Sequence, residues 1–275
     1  MAEITYTREG KIAQIHMNAP SRGNSFTPQM RRELHQALVQ YKRDEEAWMG
    51  VVTAEGKDFC VGSADALPAA YSERKERSQL WAGGYVEVWK PTIAAVQGRC
   101  RGEGLALALS CDLRVADGTA SFAAGFTGEP GEPDVVAAWL VSLVGLSTAF
   151  ELLWLGHKLN AQEAQQVGLV NRLIQKGQSA EENAEEGRFP MLPMKSTISV
   201  PNGDPMTGGI KLAQELLLYA PVTRNFQKEI AYRSIGVPFH YAQTLELGPN
   251  PYASEDRIEG NRAFAENRRP VWHNR

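Results

Sequence analysis

Residues 97–117 read QGRCRGEGLALALSCDLRVAD: three glycines, an apolar run of Leu and Ala, then a charged, strand-like segment. The glycines predict a tight turn, and the apolar run predicts a helix that begins near Leu105. The amides of Glu103 and Gly104 would then project from the helix N-terminus, where the helix dipole favours a developing negative charge. The stretch therefore predicts a turn-to-helix unit that is a candidate oxyanion hole. The alternative is a turn that needs glycine for backbone reasons alone.

Segments of strand, loop and helix alternate along the rest of the chain. An opening hairpin is predicted to turn at Glu9-Gly10, because apolar residues alternate with polar ones on both sides. Thr27 has the character of an N-cap and Pro28 that of a first helical residue, so an amphipathic helix is expected over 28–43. The other predicted elements are strands at Ile4–Tyr6, Ile12–Met17, Met49–Thr53, Thr92–Val96 and Leu169–Ile174, and helical segments at Ala66–Trp89, Ser147–Leu155, Ala161–Val167, 210–233 and 254–268. This order predicts an α/β fold.

The segment Gly177–Gly209 interrupts the alternation. It begins with an acidic run and continues with many Pro and Gly residues. Such a composition predicts a long loop or an insertion near 177–209. We therefore expect a core over residues 1–200 and a C-terminal helical region over 201–275.

Bulk composition excludes several classes of function. The formal net charge is −3 and 43% of the residues are hydrophobic, so neither nucleic acid nor an anionic membrane is an expected partner. The N-terminus resembles no secretory signal and no stretch has the length of a membrane span, which predicts a cytoplasmic protein. The three cysteines, Cys60, Cys100 and Cys111, lack the spacing of a disulfide framework or a zinc site. Buried free thiols and no metal are expected.

A second loop can complete the candidate oxyanion hole. In KDFCVGSAD, residues 57–65, a strand is predicted to end in a turn at Gly62 and to expose the amide of Ser63. Two such amides from separate loops can clasp one carbonyl oxygen. The sequence thus pairs Ser63 with Glu103.

These loops and several further stretches resemble the crotonase superfamily, also called the enoyl-CoA hydratase/isomerase family. The resemblance covers most of the chain, with the motifs in one order. The stretches that carry it are NAPSRGNSFTPQM (18–30), GVVTAEGKDFCVGSAD (50–65), PTIAAVQGRCRGEG (91–104), CDLRVADGTASF (111–122), LVGLSTAFELLWLGHKLNAQEAQQVGLVNRLI (143–174) and SEDRIEGNRAFAENRRPVW (254–272).

The resemblance implies a spiral of ββα repeats, a C-terminal helical region that forms a homotrimer or a dimer of trimers, and an acyl-CoA thioester substrate. Coenzyme A would be part of that substrate, with no separate cofactor. The amides of Ser63 and Glu103 would stabilise an enolate-like anion, each at about 3 kcal/mol. The Glu103 side chain would point toward solvent or reach the substrate. The residues implied to bind substrate are Arg22, Val61, Ala64, Asp65 and Phe126.

The sequence departs from the family where hydratases carry two proton-transferring glutamates. Ala106 and Phe126 occupy those positions, so isomerase or lyase and hydrolase-type chemistry is favoured over hydration. Asp134 resembles the base of dienoyl-CoA isomerases and the nucleophile of 4-chlorobenzoyl-CoA dehalogenases, and an ordinary helix cap is its alternative role. Glu129 and Glu132 are further acid–base candidates or members of a solvated acidic loop. The missing glutamates also fit a different class, a catalytically silent protein that binds acyl-CoA or supports an assembly.

Overall fold

The computed structural model describes residues 2–64, 86–124, 134–177, 195–245 and 247–275 of the 275-residue chain. Its strands form one sheet of seven and one of three, as the α/β prediction requires. The larger sheet contains, in spatial order, β1 (Ile4–Glu9), β2 (Ile12–Met17), β3 (Met49–Ala54), β4 (Thr92–Val96), β6 (Leu113–Ala116), β9 (Arg172–Lys176) and β10 (Thr197–Val200). The smaller sheet contains β5 (Arg99–Arg101), β7 (Ser121–Ala123) and β8 (Lys158–Asn160). In the larger sheet β1 and β2 form an antiparallel hairpin, and the pairings from β2 to β10 are parallel.

The helices of the described residues alternate with these strands through the first two thirds of the chain and then follow one another. They are α1 (Pro28–Arg43), α2 (Glu103–Ser110), α3 (Asp134–Val144), α4 (Leu146–Trp154), α5 (Ala161–Gln166), α6 (Pro205–Leu216), α7 (Pro221–Arg233), α8 (Phe239–Ala242) and α9 (Glu255–Ala265). Two successive units have the order ββα: β4, β5 and α2, then β6, β7 and α3. In each unit the first strand joins the larger sheet and the second joins the smaller one. The chain therefore crosses between the two sheets before each helix.

Local sequence signals correctly predicted the N-terminal elements. The hairpin and the helix over 28–43 are confirmed, with Gly10 at a φ of 55° in the turn. The Thr27 hydroxyl accepts a hydrogen bond from the Met30 amide at 3.1 Å, which satisfies one of the free N–H groups of the first turn. Helix α5 is confirmed within one residue and carries a capping box between Asn160 and Glu163.

The predicted loop at 177–209 is wrong for its second half. Thr197–Val200 forms edge strand β10, parallel to β9, and helix α6 begins at Pro205 with Asp204 as its N-cap. Residues 178–194 lie outside the described part. The Pro-rich composition concealed this strand because its four residues depend on pairing with β9 rather than on local propensity.

Several other elements have boundaries that differ from the predicted ones. The strand predicted at 169–174 is observed at Arg172–Lys176, and the Val170 amide before it bonds the Ala164 carbonyl of helix α5 instead of a strand. The helix predicted over 210–233 is two helices that meet before Pro221, where proline begins a new first turn. Helix α9 ends at Ala265, short of the predicted 268. Most of the predicted helical stretch 66–89 lies outside the described residues, and 86–89 is not helical.

Helix α6 lies directly against the larger sheet. A methyl group built on Gly209 would lie 2.8 Å from a Val51 side-chain carbon and 3.1 Å from the Ala95 methyl, so glycine allows this close approach. The regular elements described after residue 200 are helical. The division into 1–200 and 201–275 stays a prediction. No helix of the described residues has both the length and the apolar character needed to cross a bilayer.

Candidate active site

The loops that carry Ser63 and Glu103 meet side by side. Each of the two residues follows a glycine in the left-handed region, Gly62 at a φ of 108° and Gly102 at a φ of 52°. A methyl group built on Gly102 would lie 3.5 Å from the Gly62 Cα, so the two turns lie close enough for one methyl group to fill the space between them. The pairing predicted from sequence is therefore present as a juxtaposition in space.

Strand β5 and the Cys60 segment hold the two loops in register. The Cys60 amide donates to the Arg99 carbonyl at 3.1 Å, and the Arg101 amide donates to the Cys60 carbonyl at 3.0 Å. Gly104 then packs against Cys60 so closely that a methyl group there would lie 2.5 Å from the Cys60 carbonyl oxygen. Helix α2 begins at Glu103, two residues before the predicted start. The Cys60 segment and strand β5 thus form one short two-stranded ladder, and both loops begin at the same end of it.

The side chain of Glu103 does not point toward solvent, which corrects one of the two expectations, and its contact with a substrate stays a prediction. It is buried and forms a bidentate ion pair with Arg31 of helix α1, at 3.0 Å for Nε–Oε1 and 2.7 Å for Nη2–Oε2. The same Nη2 donates to the Ser63 hydroxyl at 3.0 Å. One guanidinium group therefore joins both candidate oxyanion-hole residues.

Arg31 is the site residue that sequence reasoning missed. It is 7% exposed, although it is a charged residue on an otherwise apolar helix face. Its position three residues before Leu34 and seven before Leu38, both buried, was the available signal. A charge on that face needs a partner of opposite sign, and removing one partner of such a buried pair typically costs about 3–5 kcal/mol.

A second buried arginine fixes the opposite end of helix α2. Arg114 on β6 is 2% exposed and donates to the carbonyls of Ala108 and Cys111 at the helix C-terminus, and to Leu169 at 2.6 Å. Burial lowers the pKa of this guanidinium, and the negative end of the helix dipole favours its charged form. The helix is thus anchored at both ends by arginine.

The position where the resemblance implies the first hydratase glutamate is apolar in the fold. Ala106 is fully buried within helix α2. Its methyl group can neither donate nor accept a proton. Phe126, expected from the resemblance at the position of the second glutamate, lies outside the described residues.

The residues expected along the coenzyme A moiety lie on segments adjoining Ser63. Arg22 binds the Glu3 carboxylate with its Nη1 at 2.8 Å and its Nη2 at 2.7 Å, and its hydrogen bond holds the pKa of Glu3 below its usual value. The Val61 amide donates to the Gly23 carbonyl at 3.0 Å. Ala64 is exposed, and its amide donates to the Phe26 carbonyl at 2.9 Å. Their contacts with substrate stay predictions.

Several other candidates fall at the edge of the described part. Asp65, Glu129 and Glu132 lie outside the described residues. Asp134 is the first residue of helix α3, and its side chain lies outside what the structure describes. Val136 and Leu140 of the same helix are fully buried in the core that also contains α2. The choice between a catalytic and a capping role for Asp134 stays open.

The cysteines are buried free thiols, as expected. Burial raises the pKa of Cys60 and of Cys111 to about 12, and that of Cys100 well above its usual value. Cys60 contacts the candidate hole but is held as a neutral thiol, so it is a poor nucleophile. Within the described ranges no group of three or more His, Cys, Asp or Glu side chains is placed to hold a metal ion.

The chain resembles known proteins along nearly its whole length. The family model described as enoyl-CoA hydratase/isomerase matches residues 7–188. The chain is 29% identical to a carnitinyl-CoA dehydratase of Citrobacter koseri, covering 99% of this chain and 98% of the relative. It is 30% identical to the mitochondrial enoyl-CoA hydratase domain-containing protein 2 of Mus musculus, covering 94% of this chain and 83% of the relative.

Solved structures give the same result for the fold. An enoyl-CoA hydratase from Mycobacterium tuberculosis H37Rv superposes with a TM-score of 0.78 at 25% identity, covering all of both chains. The parallel sheet, the successive ββα units and the helical C-terminal part are consistent with this similarity. Sequence and fold together establish that the chain belongs to the enoyl-CoA hydratase/isomerase family, the crotonase superfamily.

Proposed function

We propose that this protein is an enzyme that processes an acyl-CoA thioester through an enolate held by the main-chain amides of Ser63 and Glu103. One observation carries the proposal: Arg31 binds the side chains of both residues, which brings their main chains together at the N-terminus of helix α2. A pair of donors aimed at one oxygen stabilises negative charge that develops there, at about 3 kcal/mol for each donor. Family membership supplies the acyl-CoA substrate class.

We favour isomerase or lyase and hydrolase-type chemistry over hydration through two glutamates. Ala106 cannot transfer a proton, so a two-carboxylate mechanism lacks one of its members. In the simplest alternative, Asp134 takes a proton from the carbon next to the thioester carbonyl, the electron pair moves onto the carbonyl oxygen, and the same acid returns the proton at another carbon. This reaction needs one carboxylate and the two amides. The printed names of the relatives are those of hydratases and a dehydratase, and the absence of a hydratase glutamate at Ala106 rests on the resemblance of motifs.

A catalytically silent acyl-CoA-binding or assembly protein is the second candidate. The buried methyl of Ala106 in place of an acid favours it. Such a protein would keep the amides that bind the thioester and lack turnover. The two candidates therefore differ in the fate of a bound ester.

The deciding experiment is a turnover assay with a panel of 2-enoyl, 3-enoyl and 3-oxoacyl-CoA esters. Wild type is compared with Asp134→Asn and with a control variant, Glu151→Gln, which alters a carboxylate that is 65% exposed on helix α4. If Asp134 is the proton carrier, Asp134→Asn lowers kcat about 10²- to 10⁴-fold and the control does not. Equal rates in both variants would remove Asp134 from the mechanism. Saturable binding without turnover of any ester would establish the silent binder, and no binding would refute both candidates.

We also propose that the protein assembles as a homotrimer or a dimer of trimers. Large apolar side chains of the C-terminal helical part are exposed in the single chain, among them Tyr252, Phe264 and Ile258. Exposed apolar surface of this kind is typical of protein interfaces. Sedimentation equilibrium measures the state directly, and a monomer at micromolar concentration would refute the proposal. The cytoplasmic location expected from the sequence stays a prediction.

A further inference from the structure

We propose that Arg31 is a positioning residue that sets the spacing between the Ser63 and Glu103 amides. The inference rests on the proposed function, because it concerns the same oxyanion hole. Arg31 belongs to helix α1, which is separate from both loops, and its guanidinium bonds a side chain from each of them. It therefore acts through these two residues and is not itself a catalytic residue.

The geometry of the three hydrogen bonds can hold the two loops at a fixed separation. A guanidinium group is planar and rigid, so a bidentate pair fixes the carboxylate in both distance and orientation. Two bonds go to the Glu103 carboxylate, and the third, from Nη2, goes to the Ser63 hydroxyl. One guanidinium group therefore sets the direction and the length of all three hydrogen bonds.

Helix α1 is a rigid support for that side chain. It is 16 residues long and its N-terminus is capped by Thr27. Met30 and Leu34, on either side of Arg31, are buried in the main core. The guanidinium is therefore attached to a packed element and not to a loop.

Each of the two loops has a glycine directly before the candidate amide, so the Arg31 contacts add to the main-chain hydrogen bonds that hold the loops. Gly62 and Gly102 lie immediately before the amides in question, and both have positive φ. Glycine leaves the backbone more conformational freedom than any other residue, so the direction of the following amide is weakly determined locally. A catalytic donor that is displaced by about 1 Å can lose about 10²-fold in rate.

The charge balance points to a role in position and not to a direct electrostatic effect. The Arg31 and Glu103 side chains form a bidentate pair of opposite charges, and both are about nine-tenths buried. The pair has no net charge with which to attract an enolate. Arg31→Lys keeps the positive charge but replaces the fork by a compact ammonium, so it separates the two roles.

The experiment combines turnover with a chromophoric probe, 2,4-hexadienoyl-CoA, whose absorption moves to longer wavelength when its thioester carbonyl is polarised. The variants are Arg31→Lys, Ser63→Ala and their double mutant. The matched control is Arg172→Lys, which alters a second largely buried ion pair, Arg172 with Glu215 at 2.6 Å, between β9 and α6. Measurements are made well below the melting temperature of each variant, with saturating probe.

We expect Arg31→Lys to lower kcat about 10- to 100-fold, with a smaller change in KM, and to remove most of the wavelength shift of the bound probe. Ser63→Ala, which keeps the amide and removes one of the three bonds, should have a smaller effect. In the double mutant the effects should not add, because both changes break the same connection. The Arg172→Lys control should keep the wild-type kcat and wavelength shift.

The outcomes separate this inference from the proposed function. If wild type binds the probe without any wavelength shift, the oxyanion hole itself is refuted. If wild type shows the shift and Arg31→Lys shows the same shift and the same kcat, the positioning role is refuted and the oxyanion hole stands. A variant that loses activity while the bound probe keeps its full shift would also refute the positioning role.

Discussion

Replacing Gly104 with alanine tests the close packing that places the Glu103 amide. The new methyl group would lie 2.5 Å from both the Cβ and the carbonyl oxygen of Cys60. Both atoms belong to the backbone or are attached directly to it, so no flexible side chain can move aside. Ordinary carbon contacts begin near 3.4 Å, so helix α2 and the Cys60 segment must separate by about 0.9 Å.

The expected loss of stability follows from that displacement. Overpacking of a close-packed interior costs about 1–3 kcal/mol, and contact with a backbone oxygen falls at the upper end. The better helix propensity of alanine offsets up to about 1 kcal/mol of this loss of stability. A net loss of about 2 kcal/mol corresponds to a fall in Tm of about 4–8 °C for a domain of this size. Since the Glu103 amide moves with the helix, acyl-CoA turnover should fall about 10²-fold as well.

Thermal unfolding followed by circular dichroism measures the first effect, and the turnover assay measures the second. Gly118→Ala is the matched control, because Gly118 is exposed and a methyl group there meets nothing within 4 Å. It should melt within about 1 °C of wild type. If Gly104→Ala melts together with wild type and this control, the close approach of α2 to Cys60 is not a constraint on the fold.

Three further predictions concern buried groups around the same core. At pH 8 the cysteine thiols should react with a disulfide reagent far more slowly in the native protein than after denaturation, because burial raises their pKa values. Fast labelling of the native protein would contradict their burial. Arg114→Met should lower the free energy of unfolding by about 2–4 kcal/mol in urea titrations, because buried carbonyls lose their donor; an unchanged midpoint would be the opposing result. Hydrogen bonds from Arg99 lower the pKa of Asp58 in the folded protein. The ionised Asp58 therefore stabilises the fold above the pKa of about 3.9 that it has in the unfolded chain, and this stabilisation is lost as the pH falls below that value. Asp58→Asn should flatten the acid limb of the stability profile, and an unaltered acid limb would show that this pair does not contribute.

Features that depend on neighbours in sequence could be predicted. Thr27 and Asn160 cap helices because a side-chain oxygen and a nearby amide are enough for that contact. Gly62 and Gly102 mark turns because no other residue adopts positive φ as easily. The apolar character of Ala106, where the family resemblance implies a hydratase glutamate, is likewise visible in the sequence, since an alanine has no ionisable group in any fold.

Features that depend on packing across the chain could not be predicted. Strand β10 lies in a Pro- and Gly-rich segment, and it exists through its pairing with β9. The boundary before Pro221 is different, because proline is a local signal that the prediction of a single helix overlooked.

The Glu103 side chain is the clearest case of this division. From the sequence, a glutamate between two glycines at a helix start belongs either to an anion-binding turn or to a turn that needs glycine for backbone reasons, and the family resemblance implied that its amide is the useful group. The partner of its carboxylate is 72 residues away, on a helix whose sequence contains three arginines, and only one of them faces this turn. The choice of Arg31 comes from the tertiary structure, which brings its side chain on α1 to the N-terminus of α2. An ion pair of this kind forms where burial brings two charges together and not where the sequence places them. The sequence thus determined the turn and its donors, and the tertiary structure decided what holds them in place.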